Sequence, residues 1–135
     1  MPTSISDLRT GLATAIGALA GVRVYEQIPD APVAPAAIVE LRGIDYDSTF
    51  SRGADEYRFS VTLISGRADD RTAQTRLEGW AQGHGSGSFK TAVEADPTLG
   101  GICGAVRVET ASGLQSLEVN NTPHLAIEFS ITLYA

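Results

Sequence analysis

The sequence has a single cysteine, Cys103, so no intrachain disulfide can form, and a reducing cytoplasm is its natural setting. No apolar run comes near the roughly 20 residues a membrane-spanning helix needs, and no contact with a membrane is expected. Met1-Pro2-Thr3-Ser4 has neither a basic n-region nor an apolar stretch after it, so no signal peptide is expected. Positive charge is also scarce. Ten Lys and Arg stand against 16 Asp and Glu, for a formal charge of −6, and the basic residues nowhere group beyond Arg67 and Arg71 around Asp69-Asp70. Gripping nucleic acid requires clustered cations over the phosphates, which this chain lacks. DNA passing nearby without being held remains compatible with that charge. What is present is a hydrophobic content of 43% over 135 residues, enough for one domain, residues 1–135, with a core that needs no metal or disulfide.

The strongest pattern is Tyr57 to Ile64. Tyr57, Phe59, Val61 and Leu63 alternate with Arg58, Ser60 and Thr62, the period of a strand with one buried face. Before it, Ile5, Leu8, Leu12, Ile16 and Leu19 recur at spacings of three and four, predicting an amphipathic helix over 4–19 with Ser4 as N-cap, Asp7 in the first turn and Gly21 as the stop. Gly11 and Gly17 inside it each cost up to about 1 kcal/mol relative to Ala and are candidates for close packing. Val22 to Ile28 reads as a short strand, closed by three prolines at 29, 32 and 35. Ala37, Val39 and Leu41 alternate with Ile38, Glu40 and Arg42 in a strand over 36–43. A long loop, 43–56, follows.

Beyond the central strand, Asp69 or Asp70 is placed to cap a helix running to about Gln82, with Ala73, Leu77, Trp80 and Ala81 on its stripe. Gly83 to Ser88 breaks it. A short helix capped by Ser86 or Ser88 carries Phe89, Ala92 and Val93 and stops before Pro97. Val106 and Val108 alternate with Arg107 and Glu109, and 111–124 reads as a second long loop with a turn signal at Asn120-Asn121-Thr122-Pro123. The closing strand puts Leu125, Ile127, Phe129, Ile131 and Leu133 on one side and Ala126, Glu128, Ser130, Thr132 and Tyr134 on the other. Helix, three strands, two helices and two strands make an α+β fold: a mainly antiparallel sheet of four to five strands with helices on one face.

Chemistry is harder to find. Gly83-His84-Gly85-Ser86-Gly87 before a helix could cradle an anion, but no Lys-Ser/Thr follows it and it comes after a helix, so a helix–helix break explains it with less. Cys103, His84 and His124 sit in three separate segments without ligand or nucleophile spacing, and a small core thiol is the simpler reading of Cys103. No catalytic residue, cofactor or metal is expected.

Leu77-Glu78-Gly79-Trp80, the glycine-serine break, the run Ser88-Phe89-Lys90-Thr91-Ala92-Val93-Glu94-Ala95-Asp96-Pro97-Thr98-Leu99-Gly100-Gly101, and then Val106-Arg107-Val108 resemble the tail terminator proteins of long-tailed, siphovirus-type phages of actinobacteria. The first helix leading to Val24-Tyr25 and a proline-rich turn fits as well, as does Ala126-Ile127-Glu128-Phe129. The resemblance implies a virion structural protein with no cofactor, assembled in the host cytoplasm and located at the tail–neck junction. Its partners would be further copies of itself in a hexameric ring, the tail tube protein, and a neck or head-completion protein, with DNA only passing through the lumen.

Subunit or partner contacts are expected from residues without a core duty: Asp45, Tyr46, Asp47 and Phe50 in the first long loop, and Tyr134 on the outward side of the last strand. Aromatic residues are enriched at contact hot spots. Two alternatives stay open, a neighbouring neck or head–tail connector protein and a small ligand-binding α+β domain using the glycine-rich break.

Overall fold

A computed structural model describes residues 4–19, 22–26, 35–46, 55–67, 71–85, 87–119 and 122–135, with only the backbone of 113–119. Its elements are α1 (Ile5–Ile16), β1 (Arg23–Tyr25), β2 (Ala36–Asp45), β3 (Glu56–Arg67), α2 (Arg71–Ala81), α3 (Phe89–Glu94), β4 (Ala105–Val119) and β5 (Thr122–Tyr134). The five strands form one sheet in the order β1-β2-β3-β5-β4. β2 pairs with β3, β3 with β5 and β4 with β5, all antiparallel. The short β1 lies parallel to β2, with Val24 beside Ala37, so the sheet is mixed at that margin. The fold is α+β.

Side-chain alternation decides which face is dry. Phe59, Val61 and Leu63 of β3 sit opposite Ile131, Phe129 and Ile127 of β5, and all six are buried. Leu8, Leu12 and Ile16 of α1, Leu77 and Trp80 of α2, and Phe89 and Val93 of α3 join them in one apolar cluster, so the helices cover this face. The Phe89 ring stacks on that of Phe129, with centroids 4.1 Å apart, and ties α3 to the middle of the sheet. The other face is mostly polar, apart from a small cluster of Ile64 and Ala126 with Ile38 against them.

α1 starts as its sequence predicts. Ser4 Oγ accepts the Asp7 N–H at 3.0 Å and the Asp7 carboxylate accepts the Ser4 N–H, a reciprocal capping box. It ends sooner than predicted, at Ile16, with Gly17 as C-cap; Gly21 lies outside the described residues. The next two amides turn back on tighter bonds, Ala18 to Ala15 and Leu19 to Ile16, and this still delivers Leu19 to the core. Gly11 does mark close packing: a Cβ there would fall 2.2 Å from Ile102 Cδ1. α3 is capped by Ser88, whose hydroxyl accepts the Thr91 N–H and donates to the Gln82 carbonyl. Ala81 is exposed, so the α2 stripe ends at Trp80. Asp69 and Asp70 lie outside the described residues.

Both long loops are shorter than the sequence suggests. β2 runs on through Gly43 and Ile44 to Asp45, paired to Arg58, Tyr57 and Glu56. The larger correction concerns 111–124, where β4 continues to Val119 and β5 begins at Thr122, making one long hairpin. The alternation of Val106 and Val108 with Arg107 and Glu109 does mark the start of β4, but register shifts between Val108 and Thr110, and between Ser112 and Gln115, break the period-2 pattern and hide its continuation. The turn signal at 120–123 nevertheless falls where the chain reverses, since Val119 pairs with Thr122.

Trp80 is 5% exposed within the helix-covered core. Trp80→Ala is therefore expected to cost about 3–5 kcal/mol in denaturant unfolding. Wild-type stability in that variant would place the ring outside the core.

Candidate functional site

The polar side of the sheet ends in a corner where β2, β3 and β5 come together. Asp45 pairs with Glu56, and Glu56 with Tyr134, so three residues from three strands lie in one row. Arg58 binds them together. Its guanidinium contacts the Asp45 carboxylate and donates to Glu56 Oε2 at 3.4 Å, while Tyr134 Oη donates to Glu56 Oε1 at 3.1 Å. The hydrogen bond and charge of Asp45 raise the Arg58 pKa, and the hydrogen bond and charge of Glu56 raise that of Tyr134. The Arg58 guanidinium reaches over Gly43. A Cβ there would meet Arg58 Nη2 at 2.6 Å, so the guanidinium lies across a position that has no side chain.

Of the five residues singled out in the sequence, Asp45 and Tyr134 are thus brought into one network. Tyr46 follows Asp45 directly and is 73% exposed, the one large hydrophobic side chain so exposed among the described residues. Asp47 and Phe50 lie outside the described residues. Arg58, which holds the corner together, was missed by the sequence reading. The available signal was that Arg58 falls on the polar side of the central strand beside acids at 45 and 56. Farther along this face, Arg42 donates to Ser60 Oγ at 2.9 Å and to Glu128 Oε2 at 3.2 Å.

On the opposite, helix-covered side, a largely apolar groove of about 580 Å³ runs between α1 and the segment from α3 to Ile102. Gly11, Ala15, Ala92 and Leu99 line it, and the glycine-rich break before α3 takes no part. Its carboxylates are already engaged. Asp7 serves the α1 cap, and Asp96 holds the turn after α3, accepting the Thr98 N–H and hydroxyl at 3.0 and 2.7 Å and the Gly100 N–H at 2.9 Å. Leu99, Gly100 and Gly101 all take positive φ in that turn, which buries the Leu99 side chain.

The residues considered for chemistry stay apart in role. Cys103 is buried, its sulfur 3.6 Å from the Pro97 carbonyl oxygen, and burial together with the nearby Asp96 charge pushes the thiol pKa up, away from nucleophilic use. His84 is exposed in the break after α2, and His124 Nδ1 lies 2.9 Å from the Thr122 carbonyl oxygen. Among the described residues no three His, Cys, Asp or Glu side chains group to hold a metal ion. No family model matches the chain, and no curated protein matches it either.

Hydrogen bonds from Thr98, Gly100 and the Thr98 amide hold the Asp96 carboxyl below its ordinary range. A depressed carboxyl contributes stability above its unfolded pKa and loses it as pH falls through the folded value. Asp96→Ala is therefore expected to lower Tm at neutral pH, with the difference from wild type closing on acidification below about pH 4. An unchanged gap down to pH 2 would remove the ionised turn as the cause.

Proposed function

We propose that this protein is a phage tail terminator: a ring of copies, a hexamer in the reading that the resemblance implies, that caps the tail tube at full length and joins it to the neck. The resemblance of residues 77–108 gives the identity of the reading, and the α+β fold is compatible with it. The observation that carries it furthest is the Asp45–Arg58–Glu56–Tyr134 corner with Tyr46 projecting beside it. A ring of more than two copies needs two different surfaces per subunit, because its interface is heterologous. An exposed aromatic on a strand end pinned by ion pairs is a preorganised contact of this kind. The acids around it suit a surface past which DNA moves without sticking, at the tail–neck junction of the virion. A neck or connector protein is the second reading, and it would use the same corner toward a different neighbour.

Tyr46→Ala/Phe50→Ala is expected to leave a folded protein that forms rings or caps tubes poorly, seen by electron microscopy as overlong or headless tails. Normal rings and tails of normal length would overturn the contact assignment. A wild-type chain that stays monomeric in the presence of tail tubes would overturn the terminator reading, and binding to neck proteins without tube binding would favour the connector.

A further inference from the structure

β4 has β5 on one side and forms the margin of the sheet on the other. At 15 residues it is the longest strand, and a margin of that length is a template for the strand of another molecule. At Val108 the template is already occupied. The Val108 N–H donates to Glu94 Oε2 at 2.8 Å, and Lys90 Nζ donates to the Val108 carbonyl oxygen at 3.1 Å. In an antiparallel ladder the N–H and C=O of one residue point to the same side, so both of these groups turn away from β5 and toward α3. Lys90 Nζ also donates to Glu94 Oε2 at 2.6 Å, which closes the set.

The side chains are not there by accident of a floppy surface. α3 has six residues, is capped by Ser88 and is anchored by Phe89 and Val93 in the core, so Lys90 and Glu94 leave it from a fixed platform. An exposed i,i+4 ion pair contributes little on its own, whereas satisfying both backbone groups of an edge residue changes what that edge can accept. Register shifts at Val108/Thr110 and Ser112/Gln115 disturb the rest of the strand. The opposite margin is blunted differently: β1 is three residues long, and β2 beyond it carries its own shift between Leu41 and Gly43. Of these devices, the one on α3 consists of two replaceable side chains.

We infer that α3 is an edge guard, its Lys90–Glu94 pair occupying both backbone groups of Val108 and thereby keeping β4 from accepting the strand of a second copy of this chain. The inference concerns the free protein and stands apart from the tail reading. It predicts that Lys90→Ala/Glu94→Ala self-associates at about tenfold lower concentration than wild type in sedimentation velocity. Amides 105–110 should gain protection from hydrogen exchange in the associated species. Lys90→Met alone, which keeps the helix and removes one donor, should move in the same direction. Leu12→Ala, which opens a core cavity and leaves the guard in place, should sediment as wild type while folded. The inference fails if the folded guard variants sediment as wild type, if Leu12→Ala associates as readily as they do, or if association leaves exchange over 105–110 unchanged.

Discussion

The pairing of β3 with β5 is the constraint to which everything else in the molecule answers. It places Phe59, Val61 and Leu63 directly against Ile131, Phe129 and Ile127, in the apolar cluster that all three helices join. A slip of one residue by either strand would turn that strand's set to the polar side. It would also take that strand's serine, Ser60 or Ser130, from the polar side into the apolar core. The polar corner depends on the same register, because it brings Tyr134 beside Glu56 and Thr132 beside Arg58.

Much of this was legible. β3, β5, the α1 stripe and the burial of Trp80 follow from periodicity, since each has one wet and one dry face over several turns or repeats. β4 was legible only at its start, Val106 to Glu109; beyond that its two register shifts place successive residues out of phase, and Thr110 to Ser116 carries no apolar alternation. The parallel setting of β1 depends on how the chain returns to Ala36, which no local pattern specifies. In the corner, Asp45, Tyr46 and Tyr134 could be named from exposure and residue type. The role of Arg58 requires knowing that Gly43 lies opposite it, which is a matter of register and of an absent side chain.

The two sides of the sheet divide the labour. Charge pairs such as Arg58 with Asp45 and Arg42 with Glu128 lie on exposed surface, where they contribute little to stability. Their effect is to fix where side chains point. Apolar packing of the helices supplies the stability, and Asp96 and Ser88 spend their polar atoms on holding α3 and its turn in position. This separation lets the polar side be altered with small effect on folding.

The distance along the chain between the two central strands has a kinetic side. Glu56 and Tyr134 touch although 78 positions separate them. The β3–β5 pairing closes the chain between Arg67 and His124, the partners nearest in sequence, whereas β2–β3 and β4–β5 are local pairs and α1 packs on β1 and β2 without it. Joining the two local pairs is therefore the step with the largest loop-closure cost. During synthesis β3 is made well before β5, so its margin toward β5 stays unpaired until Thr122–Tyr134 has emerged.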